Sequence, residues 1–207
     1  MSQSEFEIIR RYFEKTDLSF PKTGVELAIG DDAALLNIPR GRLLCISLDI
    51  LIADIHFPVS ADPEKIANRA LAVNLSDLAA MGAEPDWAML NLVLPAADSK
   101  WLEGLSFGFF SLADRYNVTL VGGDTSYGTL NLTVTAGGWV PQGQALCRSG
   151  ARNGDLIYVS GTVGDAALGL ELVSEAGYSL GDRDNYVVER LKPVSYTHLT
   201  LPTILLV

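Results

Sequence analysis

The sequence predicts a protein of the α/β class, in the form of an α+β sandwich. Three observations support this prediction. Helical segments with clear caps alternate with β-type runs, the spacing of these segments is not the regular one of βαβ units, and 48% of the 207 residues are hydrophobic. The hydrophobic content is enough to bury a sizeable core, and the length fits one domain or one and a half.

Three segments are predicted to be helices. The first, over residues 4–15, begins with the capping box S-x-x-E and continues with apolar residues at helical spacing. The second begins at Asp62 as the N-cap, has proline at the first helical position, and ends at Gly82. The third spans residues 99–116.

Four β-type runs are predicted to be strands, at residues 42–49, 87–95, 118–123 and 129–140. Residues 154–172 repeat the order of strand, glycine loop and helix, and the segment most like a domain boundary lies at residues 141–155. "SGTVGDAALGL" in this region has the glycines of a phosphate loop but no lysine, so a tight strand-to-helix turn remains the alternative.

The charge balance excludes several classes of partner. Acidic residues outnumber basic residues 25 to 15, which gives a net charge of −10 and an isoelectric point near 4.6. This argues against a nucleic-acid partner and against an anionic membrane surface, and it means that a phosphorylated ligand needs cations to dock. The charged N-terminus lacks the apolar centre of a signal peptide, and no run approaches the ~20 apolar residues of a membrane span, so we expect a cytoplasmic protein.

The cysteines and histidines are too few for several kinds of site. Cys45 and Cys147 form no CxxC motif, and the apolar run around Cys45 favours a buried free thiol. With two histidines in the chain, a zinc cluster or a serine triad is not expected.

Four aspartates stand at the ends of elements or among apolar residues: Asp32, Asp49, Asp77 and Asp124. Taken singly, Asp32 with its neighbour Asp31 fits a turn or a helix cap, Asp124 fits an Asx-turn, and Asp77 fits a buried hydrogen bond. Taken together, several such carboxylates are costly without positive partners. Divalent cations, above all Mg²⁺, are the partners that the sequence favours.

Five motifs occur in one order along the chain: "IGDDAALL", "SLDILIADIHF", "ALAVNLSDLAAMGAEP", "VGGDT" and "SGTVGDAALGL". Over residues 4–193 the chain thereby resembles the thiamine-monophosphate kinases of the PurM/aminoimidazole-ribonucleotide-synthetase superfamily. The resemblance implies a PurM-type domain, a small sheet covered by helices on one face, that pairs into a barrel-like homodimer. It also implies ATP- and magnesium-dependent phosphorylation of thiamine monophosphate to thiamine diphosphate.

The resemblance also implies the roles of particular residues. His56 would contact thiamine monophosphate, although a histidine packed beside Phe57 is the alternative. Leu48 stands where the family has a hydroxyl, so Ser47 or a backbone carbonyl would substitute. The implied magnesium ligands are Asp32, Ser47, Leu48, Asp49, Asp77 and Asp124, and the implied ATP contacts are Gly123, Asp124, Arg148 and Phe107. Arg148 also fits an ordinary surface cation.

Three segments are expected on the strength of this resemblance. Residues 1–149 would form the metal- and ATP-binding domain, residues 150–193 the truncated start of a second α/β domain, and residues 194–207 a non-native tail. The fragment alone is expected to be inactive. The alternatives are another ATP-dependent synthetase of the superfamily, resembling aminoimidazole-ribonucleotide or selenophosphate synthetase, a non-catalytic magnesium-binding dimer, and a structural domain with acid-rich turns.

Overall fold

A four-stranded sheet with two helices on one face forms the centre of the computed structural model, which describes residues 4–14 and 24–156. The strand, loop and helix predicted over residues 154–172, most of the second domain over 150–193, and the tail 194–207 lie outside the described residues. These predictions therefore stay predictions.

The strands of the central sheet follow the order β3-β6-β4-β5, and β1 and β2 form a separate two-stranded sheet. Pairing is antiparallel except between β4 and β5, which are parallel. The bounds are β1 Val25–Leu27, β2 Leu35–Leu36, β3 Arg42–Ile52, β4 Glu84–Leu94, β5 Thr119–Tyr127 and β6 Asn131–Pro141. All four predicted strands are confirmed, and β3 continues three residues past its predicted end.

The three predicted helices are also present. They are α1 Glu5–Ile8, which continues as a π-helical turn over Ile9–Phe13, α2 Pro63–Ala80 and α3 Ser99–Arg115. Both hydrogen bonds of the capping box before α1 form. Asp62 caps α2 by accepting a hydrogen bond from the Glu64 backbone N–H at 3.0 Å, and Gly82 ends it with φ of 72°.

The core lies between the sheet and the two long helices. Leu71 and Leu75 of α2, Phe109 of α3, and Leu132 and Val134 of β6 are fully buried there. Along β3 the odd-numbered residues face α2, because Ser47 bonds a side chain of that helix and side chains alternate along a strand. The α+β class and the sheet covered on one face are confirmed.

The other face of the sheet is apolar and exposed along β3. Leu44, Ile46, Leu48 and Ile50 all point away from α2, and Leu48 has 61% of its surface exposed. The predicted burial of Cys45 is wrong in degree: the thiol is free but half-buried, because β3 is an edge strand. Among the described helices, none has the length and apolar character needed to cross a membrane.

Candidate functional site

One group of predicted site residues lies where the edge strand β3 packs against helix α2, a contact region that is termed the groove. Ser47 and Asp49 point toward α2 from alternate positions of β3, and Asp77 projects from the helix. The Ser47 hydroxyl donates a hydrogen bond of 2.9 Å to Asp77 Oδ2. The groove therefore presents two carboxylates and one hydroxyl, which are oxygen ligands of the kind that Mg²⁺ prefers.

The two carboxylates of this groove are close enough for the charge of Asp77 to affect the pKa of Asp49. Partial burial raises the pKa of Asp49, the charge of Asp77 raises it further, and His56 acts in the opposite direction. Burial, together with the Asp77 charge, also raises the pKa of the Cys45 thiol. A divalent cation between Asp49 and Asp77 would relieve this repulsion, since an opposite charge favours the ionised form of both carboxyl groups.

Leu48 takes no part in this groove through its side chain. It lies on the same strand between Ser47 and Asp49, so its side chain points to the opposite, exposed face of the sheet. Of the three adjacent β3 positions implied as ligands, only Ser47 and Asp49 direct side-chain oxygens toward Asp77.

His56 is held beside the end of β3 by a tight turn. The Ile52 backbone N–H donates a hydrogen bond of 3.0 Å to His56 Nδ1, while Asp54 within the turn adopts φ of 61°. Since Nδ1 accepts a hydrogen bond, the neutral ring carries its hydrogen on Nε2. Phe57 is buried next to it, but His56 itself is only half-buried and has its ring oriented by the backbone.

A second group of predicted residues lines a cavity of about 600 Å³ beside strand β5. Asp31, Asp32, Gly123 and Asp124 contribute to its wall, and Arg10 of the first helix is the one basic residue of its described lining. Asp124 Oδ2 accepts a hydrogen bond of 2.8 Å from the Ser126 hydroxyl. Asp31 Oδ1 accepts a hydrogen bond of 2.8 Å from the Asp32 backbone N–H, as expected if this acidic pair shapes a turn. The Asp32 carboxylate is exposed.

Gly123 is required by the backbone next to Asp124. It adopts φ of 149°, and a Cβ at this position would collide with the Leu90 carbonyl oxygen of the adjacent strand. The close approach of β4 and β5 thereby fixes the position of Asp124 at the edge of the cavity.

Within one chain the two groups of acids lie apart. Strands β3 and β5 are opposite edges of the sheet, separated by three interstrand spacings of about 4.8 Å, or roughly 14 Å. The register pairs Asp124 with Asn91, between the buried residues Leu90 and Leu92, so Asp124 lies on the face away from α2. Over residues 4–14 and 24–156, no three acidic, histidine or cysteine side chains converge as a metal site.

The two remaining predicted ATP contacts lie elsewhere. Phe107 of α3 lines a separate cavity of about 490 Å³, together with Arg11, Tyr12 and Glu103. Arg148 is exposed in a short 3₁₀ turn, Arg148–Gly150. Neither residue borders the cavity that contains Asp32 and Asp124.

Sequence reasoning missed Arg69 on α2. Its Nη1 donates a hydrogen bond of 3.3 Å to the His56 carbonyl oxygen, so a cation lies next to the predicted substrate histidine. The signal was available, because Arg69 precedes Asp77 by eight residues, about two helical turns, which places both on one side of α2.

The family model for the N-terminal domain of AIR synthase related proteins matches residues 30–140, which is more than half of the chain. The chain belongs to this family. The matched AIR synthase related segment includes the central sheet, α2, α3 and both acidic groups.

Known relatives of this AIR synthase related chain are thiamine-monophosphate kinases. The Escherichia coli K12 protein is 49% identical over 195 residues, which cover 93% of this chain and 59% of the relative. The crystal structure of the Stenotrophomonas maltophilia K279a protein superposes with a TM-score of 0.82 at 42% identity, covering 97% of this chain and 65% of that one. A structure of AaThiL complexed with AMPPCP and TMP gives a TM-score of 0.72 at 30% identity, over 83% and 55%.

The chain thus spans about six tenths of the length of its E. coli relative. The resemblance to thiamine-monophosphate kinases and the PurM-like fold are confirmed by these comparisons. The individual site residues stay predictions.

Proposed function

We propose that the chain carries the N-terminal domain of an ATP- and magnesium-dependent kinase that phosphorylates thiamine monophosphate to thiamine diphosphate. The observation that supports this most is the groove between β3 and α2, where the Ser47 hydroxyl bonds Asp77 and Asp49 points toward the same helix. The similarity to thiamine-monophosphate kinases points to the same reaction, and AaThiL has been solved with AMPPCP and TMP.

Transfer of a phosphoryl group requires reactants held in line and neutralised charge more than a covalent nucleophile. Asp49, Asp77 and Ser47 would hold Mg²⁺, which supplies the neutralising charge between two anionic substrates. His56 presents Nε2–H as a hydrogen-bond donor for the acceptor phosphate. Gly123 lets β5 run close to the Leu90 carbonyl of β4, and this places Asp124 at the cavity where a nucleotide would bind.

A homodimer would join the two acidic groups. The exposed apolar face of β3 leaves Leu44, Ile46, Leu48 and Ile50 without a cover among the described residues. Among the described strands, β3 and β5 form the two edges of the sheet, so closure with a second copy into a barrel-like core brings an edge carrying Asp49 toward an edge carrying Asp124. In this assembly Asp49 and Asp77 of one protomer lie along the same seam as Asp32 and Asp124 of its partner, with Asp124 on the face of the sheet away from α2, and both groups supply magnesium ligands at that seam.

The nucleotide contacts belong to the same proposal. Gly123 and Asp124 lie on the 600 Å³ cavity, while Phe107 and Arg148 are separate from it and would need the second copy or the following domain to meet ATP. Because the 207 residues span 59% of the length of the E. coli relative, we expect no thiamine diphosphate from these residues alone.

The test compares the chain with a chimera that adds the C-terminal part of the E. coli relative. With ATP, Mg²⁺ and thiamine monophosphate, the chimera should form thiamine diphosphate, and the chimera with Asp77→Asn should not. Formation of product by the unextended chain would contradict the expected inactivity. A chimera that hydrolyses ATP only with another acceptor would support a different ATP-dependent synthetase of the superfamily.

A magnesium-binding dimer without catalysis is the second candidate for the chain itself. The separation of Asp49 and Asp124 within one chain favours it, because metal binding then depends on assembly of the described domain. Retention of Mg²⁺ by a dimer that neither binds nor phosphorylates thiamine monophosphate would support this alternative.

A further inference from the structure

Arg69 is a half-buried cation whose charge no described carboxylate balances. It makes no ion pair of 4.0 Å or less among residues 4–14 and 24–156, although acidic residues outnumber basic residues in the chain. Its hydrogen bond to the His56 carbonyl oxygen uses one of the five guanidinium N–H donors. Burial lowers the pKa of Arg69, which reflects the cost of removing an uncompensated charge from water.

The position of Arg69 relative to the acidic residues follows from two contacts of α2. Asp77 contacts Ser47 in the middle of β3, whereas Arg69 contacts His56 just beyond the end of that strand, so α2 runs antiparallel to β3. The groove between them is therefore polarised. Its acidic end contains Asp49 and Asp77, and its other end contains the Arg69 guanidinium and the His56 ring.

We propose that Arg69 and His56 together form a phosphate-binding site, in which Arg69 supplies charge and paired donors and His56 Nε2–H supplies a further donor. A guanidinium matches the oxygens of a phosphate in a bidentate manner, and such charge-assisted bonds are about twice as strong as neutral ones. The occupant is the phosphate of a phosphorylated acceptor. Resting on the proposed function, the inference assigns the acceptor phosphate of thiamine monophosphate to this end of the groove, next to the metal at Asp49 and Asp77.

The site makes Arg69 a determinant of specificity for a phosphorylated acceptor over the free alcohol. A ligand without the phosphate leaves the Arg69 donors unpaired in a half-buried position, and this costs binding free energy. Phosphate recognition is thereby coupled to orientation, because the bound phosphate lies beside the acidic end where Mg²⁺ would hold ATP.

The experiment measures binding of thiamine monophosphate, thiamine and inorganic phosphate to the 207-residue chain by calorimetry in Mg²⁺. The variants are Arg69→Gln, Arg69→Lys and, as a matched control, Arg40→Gln, an exposed arginine before the opposite end of β3. We expect Arg69→Gln to weaken thiamine monophosphate binding about tenfold or more, Arg69→Lys to retain part of the affinity, and binding of thiamine to change less than about twofold. The Arg40→Gln chain should match the unmodified one.

A second measurement does not depend on the folding of a variant. Inorganic phosphate and thiamine monophosphate are titrated into the isotope-labelled unmodified chain, and we expect NMR shifts of the Arg69 Nε–H and the His56 ring. Shifts with phosphate but none with thiamine monophosphate would retain the anion site and contradict the proposed substrate. Thiamine monophosphate binding that is unaffected by Arg69→Gln would overturn the inference and leave the proposed kinase intact. Absence of shifts at both residues with either ligand would also overturn it.

Discussion

The hydroxyl of Ser47 lies 2.9 Å from Oδ2 of Asp77, and this hydrogen bond joins the edge strand β3 to helix α2. The two residues are 30 positions apart in sequence, and their exposed hydrogen bond lies at the acidic end of the polarised groove. We expect Ser47→Ala to weaken Mg²⁺ binding severalfold, since it removes an oxygen ligand and the bond that orients Asp77. Titration calorimetry with Mg²⁺ or Mn²⁺ measures the effect.

The matched control for this change is Ser111→Ala, whose hydroxyl bonds the Gly108 carbonyl within α3. Both changes should lower the free energy of unfolding by at most about 1 kcal/mol, the net value of one hydrogen bond. Equal metal affinity in the two variants would remove Ser47 from the ligand set.

Asp77 and Asp124 test whether a second copy completes the site. Within one chain they lie on different faces and near opposite edges of the sheet, where independent residues have additive effects. If the dimer brings them to one magnesium cluster, the Asp77→Asn/Asp124→Asn double variant should bind Mg²⁺ much more weakly than the unmodified chain, with fold intact. The losses of Mg²⁺ binding free energy in the two single variants should then not sum to the loss in the double variant. Mg²⁺ titrations of the four proteins, at concentrations where the chain is dimeric, measure these losses. Additive losses would show that Asp77 and Asp124 do not share one magnesium site.

The exposed face of β3 predicts assembly. The chain should sediment as a dimer at micromolar concentration, and Leu48→Glu should convert it to a folded monomer, because a charge then lies in the proposed barrel interior. Leu35→Glu, at an exposed position of the small sheet, is the matched control and should leave the dimer unchanged. A dimer that tolerates Leu48→Glu would place the interface elsewhere.

Asp49 predicts how pH acts on stability. Burial and the charge of Asp77 raise the pKa of Asp49 above its ordinary value of 3.8, so folding favours the protonated form. Its stabilising contribution is present below the ordinary pKa and is lost as pH rises through the raised one. In the absence of metal, Asp49→Asn should therefore raise the urea midpoint at pH 7, and this advantage should shrink as pH falls toward 3.8.

The same Asp49→Asn comparison, repeated in saturating Mg²⁺, tests whether Asp49 binds the metal. The metal should stabilise the unmodified chain by mass action and stabilise the Asp49→Asn chain far less. The order of the two urea midpoints at pH 7 should then reverse. An Asp49→Asn chain that responds to Mg²⁺ like the unmodified chain would remove Asp49 as a ligand.

Gly123 predicts a large local effect of one methyl group. Gly123→Ala combines a φ of 149°, in the left-handed region, with a collision against the Leu90 carbonyl. We expect a loss of about 1–3 kcal/mol or more in the free energy of unfolding. Gly150→Ala is the matched control, since its Cβ meets no atom within 4 Å. Urea denaturation of both variants measures the difference.

The helices and strands were predictable because the sequence features that define them act over short distances along the chain. The capping box at Ser4, the N-cap at Asp62 and the stop at Gly82 act within one or two helical turns, and alternating or continuous apolar runs marked the four strands. The motifs around Asp49, Asp77 and Asp124 were equally local, and they were sufficient to indicate the family.

Only the tertiary structure decided which of these residues meet. Strand order placed β3 and β5 at opposite edges, so acids that are equivalent in a sequence pattern form two separate groups, and side-chain alternation turned Leu48 away from Asp49. The proximity of Arg69 to His56 arises only because α2 packs antiparallel to β3. Such contacts depend on non-local pairing and on loss of solvent around a charge, and neither is encoded within a short window of the chain.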